Sequence, residues 1–434
     1  MLPDRLTVAP IARFRGTLVL PGSKSLSNRI LLLSALADGE TEVTHVLDSE
    51  DTQVMVAALS ALGVEVRGKP GAGDSVWICG RGGALDAPHA EPTELFLGNA
   101  GTAMRPLTAV LAAGRGTFVL KGVPRMHERP IGDLVAGLRQ LGARVTCTER
   151  EGYPPLRIDA TGLDPGTARI SGATSSQFLS ALLMAAPLAR GPVTIEITDT
   201  LVSEPYVAMT LALMARYGVP VGQPAPRRYE VSAPRRYRSP GRALVEGDAS
   251  AATYFLAGAA ITRGKVRVEG CGTDSLQGDA RFADVLGRMG ARIRYEPAAI
   301  EVEGSGALSG IDADLGGMPD AAMTLAVAAL FARGATTIRG IANWRVKETD
   351  RMAAIATELG RLGARAEIGE DSLTVHPPER IHAASIRTYN DHRMAMAFSL
   401  AACGGEPIVI EDPSCVAKTF PAYFDELLLL TERA

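Results

Sequence analysis

Lysine is scarce in this chain of 434 residues: six occur, Lys24, Lys69, Lys121, Lys265, Lys347 and Lys418, within a Lys+Arg total of 45. A lysine inside a polar motif is therefore more informative than usual. A basic excess is also lacking. With net charge −3 no global field exists to hold nucleic acid or an acidic membrane, so anionic ligands must be met by local cation clusters. Cysteine is sparse and odd in number. Cys79, Cys147, Cys271, Cys403 and Cys415 form no CxxC pair and no metal-ligand spacing, which predicts a reduced, cytoplasmic setting and no bound metal. No apolar run approaches the ~18 residues that a membrane-spanning helix needs. The opening MLPDRLTVAPIARF has no apolar stretch of the secretory kind, so no signal segment is expected. Metal triads, dinucleotide fingerprints and Ser-His-Asp signatures are missing too, which points to chemistry without a cofactor.

What is present is a repeat. The length favours two or more domains, and 46% hydrophobic with 21% charged residues fits a globular fold. A glycine followed by a β-rich run recurs as DGETEVTHV, RGTFVLKG, RGPVTIEI, RGKVRVEG, RGATTIRG and GGEPIVIED. These place Gly39, Gly116, Gly191, Gly264, Gly334 and Gly405 at intervals of 77, 75, 73, 70 and 71 residues. Each glycine reads as a helix C-cap before a strand. Between them falls a second element, a helix ending in a glycine turn: ALSALGVEV, GLRQLGARV, LMARYGVPV, LGRMGARIR and ELGRLGARAEI. The sixth copy is missing, and the strand-like LTVAPI and GTLVLPG near the N-terminus would complete the last unit. Three units form each of two α/β domains, 1–22 plus 246–434 and 23–245. The chain crosses between them at LPGSK and SPGRALVEG, whose Pro and Gly suit hinges.

The chemistry gathers at helix starts. PGSKSLSNR, LGNAGTAMR and SGATSSQF offer backbone N–H groups and hydroxyls, with Lys24 and Arg29 adding charge; such starts bind anions. Ordinary N-capping accounts for one such site but less readily for three. The later helix starts, VEGDAS, GMPDAA and YNDHRM, each carry an Asp, a routine cap. MHERPIG, NWRVKETDR and CVAKTFP bring further cations. Lys347 and Arg351, four apart, would share a face if helical. Glu348 beside them is either an ion-pair partner or a proton-transfer group. Lys24, Arg29, Arg129, Lys347, Arg351, Arg393 and Lys418 suffice for a polyanionic substrate with several phosphates and carboxylates. The basic, aromatic PAPRRYEVSAPRRYRSPGR reads as a surface hairpin with arginines on its wet face rather than an RNA patch.

LPGSKSLSNR, LGNAGTAMRP, ERPIG, SSQFLSALLM, GDASAATYF, PDAAMT, NWRVKETDR, YNDHRMAMAF and DPSCVAKTFP, in this order over nearly the whole chain, resemble the signatures of 5-enolpyruvylshikimate-3-phosphate synthases. The resemblance implies two domains of three βαβαββ units each, an inside-out α/β barrel of the enolpyruvyl transferase type, with the active site in the cleft between them. It implies that Lys24, Ser25, Arg29, Ser175, Ser176, Gln177, Ser203, Tyr206, Asp320, Asn343 and Lys347 hold shikimate 3-phosphate. Phosphoenolpyruvate would be held by Lys24, Gly101, Arg129, Gln177, Arg351, Arg393 and Lys418, with Asn99 and Thr102 shaping its pocket. Lys24, Asp320 and Glu348 would be catalytic: Asp320 accepts the proton of the attacking 5-hydroxyl, and Glu348 protonates the methylene carbon. A cytoplasmic monomer that needs no cofactor and closes on its ligands is expected.

Two other readings compete. The sister family that transfers enolpyruvyl to UDP-N-acetylglucosamine typically carries a cysteine a few residues before the arginine of its RP motif, where GVPRMHERP has Pro124. A non-catalytic anion-binding protein would need the arginines but not the Asp320 and Glu348 pair. Resemblance to the glyphosate-sensitive class rests on Gly101, where many insensitive forms have alanine. Lacking Cβ, Gly101 would let the inhibitor approach the backbone, with Pro106 setting the helix start that positions Gly101 and Thr102.

Overall fold

Left-handed glycines punctuate the chain where the second repeat element predicts them. Gly63, Gly142, Gly218, Gly290 and Gly363 all have positive φ, between 78° and 115°, and each sits between a helix and the following strand. Of the first element's glycines, Gly39, Gly116, Gly334 and Gly405 also have positive φ, although Gly116 lies inside the strand Arg115–Lys121 and Gly334 follows the short strand Ala332–Arg333; Gly191 and Gly264 do not. At the latter copy Arg263 takes the left-handed turn (φ 53°). Glycine is required at 264 for packing instead, because a Cβ there would lie 1.9 Å from the Phe14 carbonyl oxygen.

The computed structural model describes residues 2–71 and 75–433. It divides the chain into two compact units, Met1–Gly22 with Glu246–Ala434 (unit 1) and Ser23–Val245 (unit 2). Unit 2 repeats one sheet pattern. Thr93–Phe96 runs parallel to Arg115–Lys121, which is antiparallel to Leu156–Thr161, itself antiparallel to Val145–Cys147. Gly166–Ile170, Val193–Ile197, Arg228–Val231 and Gly222–Ala225 follow the same order. The third sheet takes its leading strand from the far end of the unit: Arg242–Leu244 lies parallel to Glu40–Thr44. Parallel pairs of this kind need a crossover; a helix fills it in the first two sheets, whereas in the third most of the unit lies between the paired strands.

Unit 1 shows the same order in Asp312–Asp314, Thr336–Arg339, Ser372–His376 and Arg365–Ile368. Its N-terminal strands divide their allegiance. Arg5–Val8 pairs with Ile408–Glu411 and completes the last repeat, as the sequence suggests. Ile11–Val19 instead runs parallel to Lys265–Glu269, in the sheet of the fourth repeat. Pro10 separates the two strands; it has no N–H to continue one ladder, so each segment pairs on its own.

Two classes of helix result. Lys24–Leu36, Gly101–Ala112 and Ser176–Ala185 in unit 2, and Ala249–Thr262, Ala322–Ala328 and His392–Ser399 in unit 1, are buried along almost their whole length. A helix apolar all round belongs in a core. Their polar residues concentrate in or just before the first turn, so the helix starts become the places where chemistry can be carried. Helices such as Gly132–Gln140 and Arg351–Arg361 keep an exposed face. The basic stretch near 224–242 is a hairpin at its start. Tyr229 and Tyr237 point into the core, the Tyr237 hydroxyl donating to the Met184 carbonyl at 2.9 Å, while Arg228 pairs with Glu196 and Glu230 at 3.0 and 3.1 Å on the exposed side.

Candidate active-site residues

In unit 2 the buried helix starts are tied together. Lys24 Nζ lies 3.5 Å from the Asp51 carboxylate, both side chains nearly inaccessible (9% and 2%). The Thr102 hydroxyl donates to Asp51 at 3.3 Å and accepts from Asn28 Nδ2 at 2.6 Å. Three helices, starting near residues 24, 50 and 101, thus converge on one carboxylate. Sequence reasoning missed Asp51 and Asn28, since an acid in a helix's first turn and an Asn on an apolar helix look ordinary. Arg29 Nε donates to Thr210 Oγ1 (2.8 Å) and Nη1 to the Ser25 carbonyl (3.0 Å). Burial pushes this guanidinium down to about 10, against a smaller opposing effect of Tyr206.

Arg129 Nη1 donates to both the carbonyl and Oδ1 of Asn99, each at 3.0 Å, and Arg105 Nη2 donates to the Pro130 carbonyl at 3.0 Å. Gly101 lies against both guanidiniums: a Cβ would fall 2.9 Å from Arg105 Nη1 and 2.9 Å from Arg129 Nη2. A methyl at 101 would therefore meet protein cations. Pro106 does not sit at the helix start but inside Gly101–Ala112, so it shapes the helix by withholding an N–H from the turn before it.

Capping explains only one of the three polar starts. Ser175 Oγ accepts from the Gln177 N–H (3.2 Å), whereas the residues before Lys24 and Gly101 make no side-chain cap. Ser176 is buried and begins that helix. Ser203 holds a left-handed conformation (φ 54°) immediately before the helix that carries Tyr206.

Unit 1 gathers charge. Asp320 is not a cap: its carboxylate lies 2.8 Å from Arg351 Nη1, 2.9 Å from Arg393 Nη2 and 3.7 Å from Lys347 Nζ. Burial alone would raise the Asp320 carboxyl, but Arg393, Lys347 and Arg351 together outweigh it and hold the group well below the usual carboxylate range. Glu348 pairs with Arg351 at 3.0 Å. Asp391 takes two N–H bonds from Arg351, at 2.8 and 3.3 Å, and also caps its own helix by accepting from the Arg393 N–H at 3.0 Å. Burial disfavours charge on Arg351, yet Asp391, Glu348 and Asp320 raise it further above its ordinary value. Asp248 is the routine cap that the sequence suggests, accepting from the Ala251 N–H at 3.1 Å.

Lys347 and Arg351 do not share one helix. A 3-10 turn covers Ala342–Val346, Lys347 is extended, and Asp350 caps a new helix that starts at Arg351 by accepting from the Ala353 N–H. Both reach Asp320 because that break turns the chain between them. Asn343 is buried in the 3-10 turn, and Lys418 ends another, Pro413–Lys418. Two residues were not foreseen here. Trp344 Nε1 grips the Pro319 carbonyl at 2.7 Å and so fixes the backbone next to Asp320. Asp279, bonded to the Ser250 hydroxyl, is pushed up to about 7, first by burial and then by Asp320.

Repeated mixed sheets in two units, each unit with polar groups at the starts of buried helices, make an α/β architecture whose candidate chemistry lies at those helix starts. The solved EPSP synthase from Acinetobacter baumannii superposes with a TM-score of 0.82 at 27% identity, covering 99% of this chain and 98% of that one. The enolpyruvyl transferase NikO from Streptomyces tendae shares the fold, with a TM-score of 0.78 at 20% identity over 98% and 97% of the two chains. The profile of the family described as EPSP synthase (3-phosphoshikimate 1-carboxyvinyltransferase) matches residues 8–427, and this chain belongs to that family. It is 54% identical to the 3-phosphoshikimate 1-carboxyvinyltransferase of Paraburkholderia phytofirmans, over 98% of this chain and 99% of the relative. It is 53% identical to the chloroplastic enzyme of Petunia hybrida, over 98% and 85%. The chain is thus an enzyme, a transferase of the shikimate route to aromatic amino acids. The family match decides between the acceptors weighed from sequence in favour of shikimate 3-phosphate.

Proposed function

We propose that the family's reaction, transfer of the enolpyruvyl group of phosphoenolpyruvate to the 5-hydroxyl of shikimate 3-phosphate, is carried out here by the two residue clusters described above. The observation that carries this assignment is the Asp320 network: a carboxylate 2.8–3.7 Å from Arg351, Arg393 and Lys347, with Glu348 on the same Arg351. Glu348 gives a proton to the methylene carbon of phosphoenolpyruvate. The 5-hydroxyl then adds to C2 while Asp320 takes its proton. Phosphate leaves the tetrahedral intermediate with loss of one methyl proton, which restores the vinyl group.

A carboxylate clamped by three cations is a poor base. Lys347 holds shikimate 3-phosphate, and Arg351 and Arg393 hold phosphoenolpyruvate. Bound anions share those charges, so Asp320 gains basicity when both substrates are in place. Lys24, Ser25, Arg29, Ser175, Ser176, Gln177, Ser203, Tyr206 and Asn343 hold the shikimate moiety and its phosphate. Lys24, Gly101, Arg129, Gln177 and Lys418 complete the phosphoenolpyruvate site, shaped by Asn99 and Thr102.

Glyphosate is proposed to compete with phosphoenolpyruvate, and the enzyme to act as a cytoplasmic monomer. The decisive experiment measures phosphate release from phosphoenolpyruvate with and without shikimate 3-phosphate. Release that is independent of shikimate 3-phosphate would remove it as the acceptor.

A further inference from the structure

The segment between the strand Ala384–Ile386 and the helix His392–Ser399 contains two consecutive non-glycine residues in left-handed conformation, Tyr389 (φ 55°) and Asn390 (φ 54°). Asn tolerates that region; for a bulky side chain such as Tyr it is unfavourable and needs support from its surroundings. The support comes from the helix Arg351–Arg361. Glu358, with no exposed surface, accepts the Tyr389 hydroxyl at 2.7 Å and the Arg387 N–H at 3.3 Å. Arg361 Nε lies 3.3 Å from the same carboxylate, and its Nη1 donates to the Ser385 carbonyl at 3.2 Å. A fully buried carboxylate is costly unless paired in this way.

One helix therefore grips the 387–391 segment twice. Arg351 holds Asp391, and Glu358, seven residues further along, holds Tyr389 and Arg387. Seven residues are about two turns, roughly 10 Å of rise, and return to nearly the same face. Asp391 is fixed at one end by Arg351 and at the other by the Thr388 carbonyl, which accepts its N–H at 2.9 Å. The direction in which Arg393 leaves its helix, and hence its 2.9 Å approach to Asp320, follows from where this segment is pinned.

We infer that Glu358 and Tyr389 are positioning residues, a brace that sets the left-handed turn ahead of Asp391 and thereby the placement of Arg351 and Arg393 for the phosphoenolpyruvate carboxylate or phosphate. The inference rests on the function proposed above for the anion partner. The brace itself stands on the contacts.

Tyr389→Phe removes one hydroxyl from a partly exposed ring and leaves the fold. Loss of a hydrogen bond to a charged group corresponds to roughly tenfold. In the ligand-free protein, amide exchange at 388–393 is expected to quicken about tenfold in Tyr389→Phe. In turnover, KM for phosphoenolpyruvate should rise about tenfold, with KM for shikimate 3-phosphate changing less than about twofold. Glu358→Gln, which keeps an acceptor but not the charge, should fall between, and the double variant should lose less than the product of the two singles. Ser399→Ala, which deletes a buried hydroxyl contact to Tyr423 at the far end of the helix that carries Arg393, away from the 387–391 segment, serves as control: it should lower stability and leave the ratio of the two KM values unchanged. Unchanged exchange in both Tyr389→Phe and Glu358→Gln, or a KM ratio no different from that of Ser399→Ala, overturns the inference. A parent enzyme without turnover overturns the proposed reaction, while the exchange measurement still decides the brace.

Discussion

The two units support their buried arginines differently. In unit 2 Arg29 donates to Thr210 and the Ser25 carbonyl, Arg105 to the Pro130 carbonyl and Arg129 to Asn99, all neutral oxygens, while Lys24 lies against the Asp51 carboxylate and carboxylate pairs of arginine, such as Arg228 with Glu196, are on the exposed side. In unit 1 the buried arginines rest on carboxylates, with Arg351 bonded to Asp320, Glu348 and Asp391 at once. A cation supported by neutral groups keeps its charge for a ligand. A cation already shared with carboxylates couples ligand binding to the state of those carboxylates. Binding strength is thus expected to be concentrated in unit 2 and proton transfer in unit 1.

The largest expected effect tests unit 1. Glu348→Gln should lower kcat by ~10²–10⁴ while both KM values stay within a few-fold, because a general acid acts on the reacting centre. Steady-state phosphate release measures it, and a kcat within about threefold of the parent excludes Glu348 from proton transfer. The next test separates the units by pH. The Asp279 carboxyl is pushed up to about 7, so between its ordinary range near 4 and pH 7 the folded state holds a proton that the unfolded chain has lost. Stability should therefore fall as pH rises across that window. Asp279→Asn keeps an acceptor for Ser250 and should flatten the fall, a difference of up to ~4 kcal/mol at pH 7 read from denaturant melts. An unaltered pH profile would contradict a protonated Asp279.

Arg29→Lys comes third and belongs to unit 2. Losing the two directed bonds of a buried guanidinium should raise KM for shikimate 3-phosphate ~10–100-fold with kcat nearly unchanged, since charge-assisted bonds contribute about 1.5–3 kcal/mol. A fall confined to kcat would erase the contrast between the units. The smallest effect is expected at Gly101. The methyl of Gly101→Ala must displace Arg105 or Arg129, 2.9 Å away, so the change acts on the cations rather than on the ligand alone. Inhibition constants for glyphosate should rise about tenfold, with a smaller rise in KM for phosphoenolpyruvate. Equal inhibition of the two proteins would place glyphosate away from Gly101.

Much of the fold was legible because its signals are local. A glycine turn repeated at nearly constant spacing needs no tertiary information, and polar residues before an apolar helix stand out on either side of a boundary. The motifs carrying Lys24, Asp320, Glu348 and Arg351 were visible for that reason. What failed depended on distant partners. Lys347 and Arg351 suggested one helix by spacing, yet Asp350 restarts the helix between them. Asp51, Trp344 and Glu358 looked like an ordinary first-turn acid, a core indole and a helix-surface carboxylate. Only contacts to Lys24, the Pro319 carbonyl and Tyr389 give them a role. The N-terminal strands were assigned to one sheet, whereas Pro10 lets them serve two.

The pairing of Ile11–Val19 with Lys265–Glu269 has a consequence for synthesis. Roughly 250 residues separate the two strands, so at about 5–20 residues per second the first waits about 12–50 s for its partner to leave the ribosome. All of unit 2 is made in that interval and can fold around its own three sheets. Ile11–Val19 meanwhile has both edges open, and edges of this kind invite pairing with other chains. Nascent-chain aggregation should accordingly depend on elongation rate near the end of unit 2, and slowing translation there should lower the yield of folded enzyme without touching the stability of the finished protein.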